Sequence, residues 1–174
     1  MRSMEYPKAY IDYLVYFHGL RDYFECHEVL EEQWKKDRKE ERKKYWVGLI
    51  QIAVSLYHHR RGNFKGATTL IKKAIENLQR EKAAIESLAL HYERLLTLLK
   101  IRYTDLINRK SFKDIDLPIV SESLIEVCKE ECERLNCTWG SESDLSNEYV
   151  VNKHRLRDRN IMIAEREKQK KKRS

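Results

Sequence analysis

The chain is poor in chain breakers: five glycines and two prolines among 174 residues. That scarcity argues against a turn-rich all-β fold and against a disordered linker protein, and points to long helices. No apolar run reaches the ~18 residues that a membrane-spanning helix needs, so no membrane partner is expected. The start, MRSMEYPKAYIDYL, lacks the apolar segment and small-residue cleavage site of a secretion signal. Four cysteines without such a signal are expected as reduced thiols in a cytoplasmic protein. No glycine-rich phosphate loop and no nucleophile motif are present, which leaves nucleotide binding and covalent catalysis unsupported.

What is present is charge, distributed unevenly. Residues 1–152 hold 25 Lys/Arg and 25 Asp/Glu, whereas residues 153–174 hold ten and three. The net charge of +7 therefore belongs entirely to the tail, which follows a neutral domain. Three parts are expected: a helical core over 1–110, a further helix and loop packed on it over 111–150, and a basic tail or helix over 151–174.

Apolar periodicity sets out the helices. Helix spans are expected at about 7–18, 21–36, 44–61, 64–81, 83–108 and 122–136, with a break in the fifth near 100–104. The third, YWVGLIQIAVSLYHH, is apolar over most of its circumference. Such a helix must lie at the centre of its domain or be covered by a second subunit. Gly62 and Asn63 suit the turn into the next helix. The fold class expected is all-α, an antiparallel multi-helix bundle or array around a central apolar helical hairpin.

Two polar patches interrupt this pattern. On the second helix His27 and Glu31 stand one turn apart, flanked by Phe24 and Trp34. On the third, Gln51, Ser55 and His58 share a stripe. His27 and Glu31 at i and i+4 can meet. The commoner outcome for such a pair is mutual satisfaction of two half-buried groups. The sharper one is an acid–base pair or a weak metal site of His27, Glu31 and His58. Neither a zinc signature nor the Glu-x-x-His pair of di-metal bundles is present, and the cofactor, if there is one, stays unassigned. Arg60 and Arg61 are expected to interact with the dipole and last carbonyls of the third helix. An anion site with the next helix N-terminus, or a pairing of Arg61 with Asp22 or Glu28, are alternatives. Cys26, Cys128 and Cys132 fall on apolar faces and read as core thiols.

The blocks FHGLRDYFECHEVLEEQW (17–34) and WVGLIQIAVSLYHHRRGNFKGA (46–67) resemble the bacterial family catalogued as domain of unknown function 309. The likeness extends over about residues 5–80. Phe17, His18, Phe24, His27, Glu28, Glu31, Trp34, Gly62, Asn63, Gly66 and Ala67 match its recurrent motif. Arg21, Asp22, Gln51, His58 and Arg61 belong to its closer form. The resemblance implies a compact domain of antiparallel helices and supplies no activity.

The expected function is a cytosolic small-ligand or protein-binding module, homo-oligomeric with a dimer favoured. Its polar inter-helix site would draw on Arg21, Asp22, His27, Glu28 and Glu31, together with Gln51, His58 and Arg61. One alternative is a metal-assisted hydrolase using His27, Glu31 and His58. Another is nucleic-acid association through residues 153–174, whose basic side chains suit phosphates but which lack aromatics for base stacking.

Overall fold

A computed structural model describes residues 6–152 of the chain. The basic segment 153–174, and with it the nucleic-acid expectation, lies outside the described residues. The helices are α1 (Lys8–Val15), α2 (Tyr23–Lys35), α3 (Lys44–Arg60), α4 (Phe64–Leu78), α5 (Lys82–Ser87), α6 (Tyr92–Ile107), α7 (Glu122–Arg134) and α8 (Glu148–Val151). Among the described residues there is no strand, only an isolated antiparallel bridge between Leu90 and Ile119. The array is all-α, as its periodicity requires. No helix among these residues is long and apolar enough to cross a membrane.

The centre is α3, which packs most extensively on α4 and then on α2. Gly48 permits the first contact. A Cβ there would stand 2.5 Å from Leu78 Cγ, so the missing side chain lets α4 lie close. The hairpin turn follows from local chemistry. Gly62, at φ +82°, closes α3 with Gly62 N–H donating to His59 O (2.9 Å) and Asn63 N–H to His58 O (2.8 Å). These two bonds satisfy carbonyls that the helix end leaves open. Asn63 Oδ1 then accepts the Gly66 N–H at 3.0 Å and caps α4. Asp22 does the same for α2, accepting from Glu25 N–H at 3.1 Å.

Two boundaries differ from expectation. The first helix does not stop before Gly19. It widens into a π-helical turn, Tyr16–Leu20, and ends at Arg21 in the left-handed region (φ 51°). The fifth expected helix breaks at 88–91 rather than near 100–104, giving α5 and α6. There the chain turns at Ala89 (φ 60°). Its backbone bonds go to a distant segment: Val120 N–H to Ala89 O (2.8 Å) and His91 N–H to Pro118 O (2.9 Å). The link before α7 thus takes over hydrogen bonds that a continuous helix would have made internally. Helix α7, capped by Ser121, packs on α1. Tyr10, Tyr13, Phe17 and Tyr23 are buried in the core with Leu49, Ile52 and Leu56 of α3.

Candidate functional site at the α2–α3 seam

From Trp46 to Arg60, every position of α3 is buried except Val47, Ile50, Gln51, Val54 and His58. At 100° per residue those five fall on one stripe. The neighbouring helices cover the rest of α3 and leave this edge half open beside α2.

Phe24 and His27 of α2 meet Val54, Tyr57 and His58 of α3 around a pocket of about 130 Å³. Its walls are rings set at steep angles. Phe24 and Tyr57 lie 5.8 Å apart, Phe24 and His27 5.9 Å, Tyr57 and His58 5.8 Å between centroids. Arg61 Cζ stands 5.3 Å over the Tyr57 ring, and its Nε donates to Asn152 Oδ1 at 3.1 Å. His27 Nε2 lies 3.0 Å from Glu31 Oε2, and its Nδ1 3.8 Å from Glu28 Oε1. Glu31 also takes Lys35 Nζ at 2.9 Å. Hydrogen bonding from Lys35 holds the Glu31 carboxyl below its ordinary value. His27 and Glu31 side chains are 32% and 31% exposed, so their pairing is solvated rather than a sealed core interaction.

The other expected site residues divide. His58 belongs to the pocket. Gln51 turns to α4, its Oε1 accepting from Asn77 Nδ2 at 2.8 Å. Ser55 is inward and donates to Ala67 O at 2.7 Å. Among the described residues no group of three His, Cys, Asp or Glu is placed to hold a metal ion. His27, Glu31 and His58 therefore do not assemble as a ligand set.

Arg21 and Asp22 lie at the start of α2 in a separate, buried arrangement. Arg21 donates to Ser141 O (2.7 Å), Ile115 O (2.7 Å) and Asp116 Oδ1 (2.8 Å). Arg60 corrects the expectation that it serves the end of α3. It is buried, lies 4.7 Å over the Tyr23 ring, and donates to Arg21 O (2.7 Å), Ser143 Oγ (3.0 Å) and Val150 O (3.3 Å). Arg102, not singled out in the sequence, bonds His59 Nδ1 at 2.9 Å and the Lys113 carbonyl. Asp114 accepts from Tyr23 OH (2.5 Å) and from Ser143 N–H and Oγ–H (both 2.6 Å). A wider, open hollow of about 600 Å³ lies over Arg21, Asp114 and Asp116. Its one buried charge, Arg21, and its half-buried Asp114 tie the 112–116 and 140–145 segments to the bundle, while Asp116 remains exposed.

The family model described as "Domain of unknown function (DUF309)" matches residues 10–70. That span contains every residue of the seam pocket, whereas of the larger hollow's lining it contains Arg21 alone. The "Uncharacterized protein YpuF" of Bacillus subtilis (strain 168) is 54% identical over 164 residues, covering 94% of each chain. An "Uncharacterized protein" of Aquifex aeolicus (strain VF5) is 37% identical over 54 residues, 31% of this chain and 16% of its own. No solved structure matches.

Proposed function

The chain belongs to the DUF309 family, and from that premise we propose that it is a cytosolic protein-binding module whose α2–α3 seam docks a second copy of itself. The observation that carries this reading is the stripe Val47, Ile50, Gln51, Val54 and His58, the half-open edge of an otherwise buried helix. A pocket of about 130 Å³ is smaller than the ~300–1,000 Å³ of small-molecule sites. It suits one anchoring side chain of a partner, the commonest way that binding energy concentrates.

What supports a second copy as the partner is that the seam carries both apolar knobs, Val47 and Ile50, and an apolar pocket. Its α2 side carries Glu28 and the Glu31–Lys35 pair, and Arg61 stands over Tyr57 at the end of its α3 side. A two-fold pairing brings each patch to the other. The stripe runs from Val47 to His58, which gives the contact a length of ~17 Å at 1.5 Å per residue. Four free cysteines accord with a reducing compartment. Sedimentation equilibrium of the full chain tests the reading. A concentration-dependent monomer–dimer equilibrium supports it, and a monomer at every concentration up to the solubility limit overturns it.

A further inference from the structure

We propose that Cys132 and Cys137 form a redox-active dithiol, which closes to an intramolecular disulfide by exchange with a small-molecule disulfide. The end of α7 builds the pair. Asn136 takes a left-handed conformation (φ 58°). Cys137 N–H donates to Cys132 O at 2.9 Å, and Asn136 N–H to Glu133 O at 3.1 Å. This is the double hydrogen-bonded helix terminus in which the side chains three residues before the cap and two after it come into contact. In this chain both are cysteines.

Gly19 supplies a second, independent observation. A Cβ added there would stand 2.6 Å from Cys132 Sγ and 2.8 Å from Cys137 Sγ. Both sulfurs therefore occupy the same hollow, kept open by the missing side chain in the π-helical turn. Burial, followed by a hydrogen bond with Cys137, pushes Cys132 up to about 12, which withholds its thiolate and leaves the first attack to Cys137. Cys132 is buried and Cys137 half-buried, so the second is the entry point. Cys26 and Cys128 are wholly buried. Cys26 donates to Tyr13 O at 3.4 Å.

The chemistry balances in two exchanges. The Cys137 thiol gives up its proton, and its sulfur attacks one sulfur of the small disulfide. That S–S bond breaks, a small thiolate leaves and takes up a proton, and a mixed disulfide stands on Cys137. The Cys132 thiol then loses its proton and attacks Cys137 Sγ. The Cys132–Cys137 bond forms and the second small thiol departs. Two protein thiols are oxidised and one small disulfide is reduced. The new bond would fix the root of the segment in which Gly140 N–H donates to His18 O (2.8 Å) and Ser141 Oγ to Gly19 O (2.7 Å).

The test treats the reduced full-length chain with hydroxyethyl disulfide, alkylates the remaining thiols under denaturing conditions, and maps them by mass spectrometry. Cleavage after Arg134 separates the two cysteines, so a bond between them joins two peptides. The expected result is loss of two of the four thiols, with those peptides joined and Cys26 and Cys128 alkylated. In Cys132→Ser the exchange should stop at a stable mixed disulfide on Cys137. In Cys137→Ser, a change at a half-buried position, the remaining thiols should all persist. In the wild type the mixed disulfide should appear and then decay. Four surviving thiols, a mixed disulfide that persists in the wild type, or bonds only between chains would overturn the proposal.

Discussion

His18 accepts the Leu117 N–H on Nε2 at 3.0 Å, joining the π-helical turn to the extended link before α7. Its Nδ1, which then carries the proton, donates to Leu14 O at 2.8 Å. The imidazole is thus held neutral, and burial lowers its pKa to about 4. In the unfolded chain the ring protonates near ~6.5. Between those values the unfolded state binds a proton that the folded state does not. Stability is therefore retained above about pH 6.5 and falls as pH drops toward 4, by roughly 3 kcal/mol in total. Burial shifts His59 in the same direction. Urea unfolding from pH 8 to pH 4.5 should show this decline, and His18→Gln should flatten part of it. An equal slope in both proteins would contradict the role given to His18.

Gly48 sets the approach of α3 to α4. Gly48→Ala places a Cβ against the Leu78 side chain and should destabilise by ~1–3 kcal/mol through overpacking. Leu78→Ala creates a cavity and should itself destabilise by ~2–5 kcal/mol. The double variant should be less destabilised than the sum of the two, because each change relieves the other's fault. Additive losses in a thermal unfolding cycle would mean that the two residues do not limit each other.

Arg60 should matter more than its place at the end of a helix suggests. Arg60→Met keeps a long side chain over Tyr23 but removes the donors to Arg21 O, Ser143 Oγ and Val150 O. Hydrogen bonds to charged groups are worth ~1.5–3 kcal/mol, so a loss of that order is expected. It should appear first as faster amide exchange and proteolysis across 140–151. Uniform loosening of the whole bundle would contradict this local anchoring role.

His27→Ala should cost little in stability. The His27–Glu31 contact is one-third exposed on each side, and such pairs are worth under ~1 kcal/mol. Its effect should fall on assembly instead, through the lost pocket wall. A large drop in the denaturation midpoint would place His27 in the core rather than on a docking edge.

Much of this architecture is legible in the sequence, for reasons that particular residues show. The α3–α4 hairpin reads directly because its determinants are local: Gly62, Asn63 and the apolar spacing on either side. The break at 88–91 does not read, because Ile85, Leu88, Tyr92 and Leu95 keep a helix-compatible spacing across it. What ends α5 is backbone pairing to Pro118 and Val120, some thirty residues away. The seam reads in part. His27, Glu31 and His58 stand out as polar residues among apolar ones, yet nothing local shows that Gln51 turns to α4 or that Arg21 and Asp22 lie elsewhere. Arg60 reads as a cation serving the end of α3, and Arg102 is not singled out at all, because an arginine on a helix ordinarily carries its charge into water. Here distant carbonyls and aromatic faces hold both inside.

The docking edge of α3 can be tested at one side chain. Val54 is half-buried at the centre of the stripe and lines the pocket, so Val54→Glu puts a charge into the seam without displacing a core residue. The decisive measurement is the solution mass of wild type and Val54→Glu by light scattering, with circular dichroism to verify the fold. A dimeric wild type and a monomeric, fully helical Val54→Glu are expected. Equal masses for the two folded proteins would contradict a seam that binds its own copy.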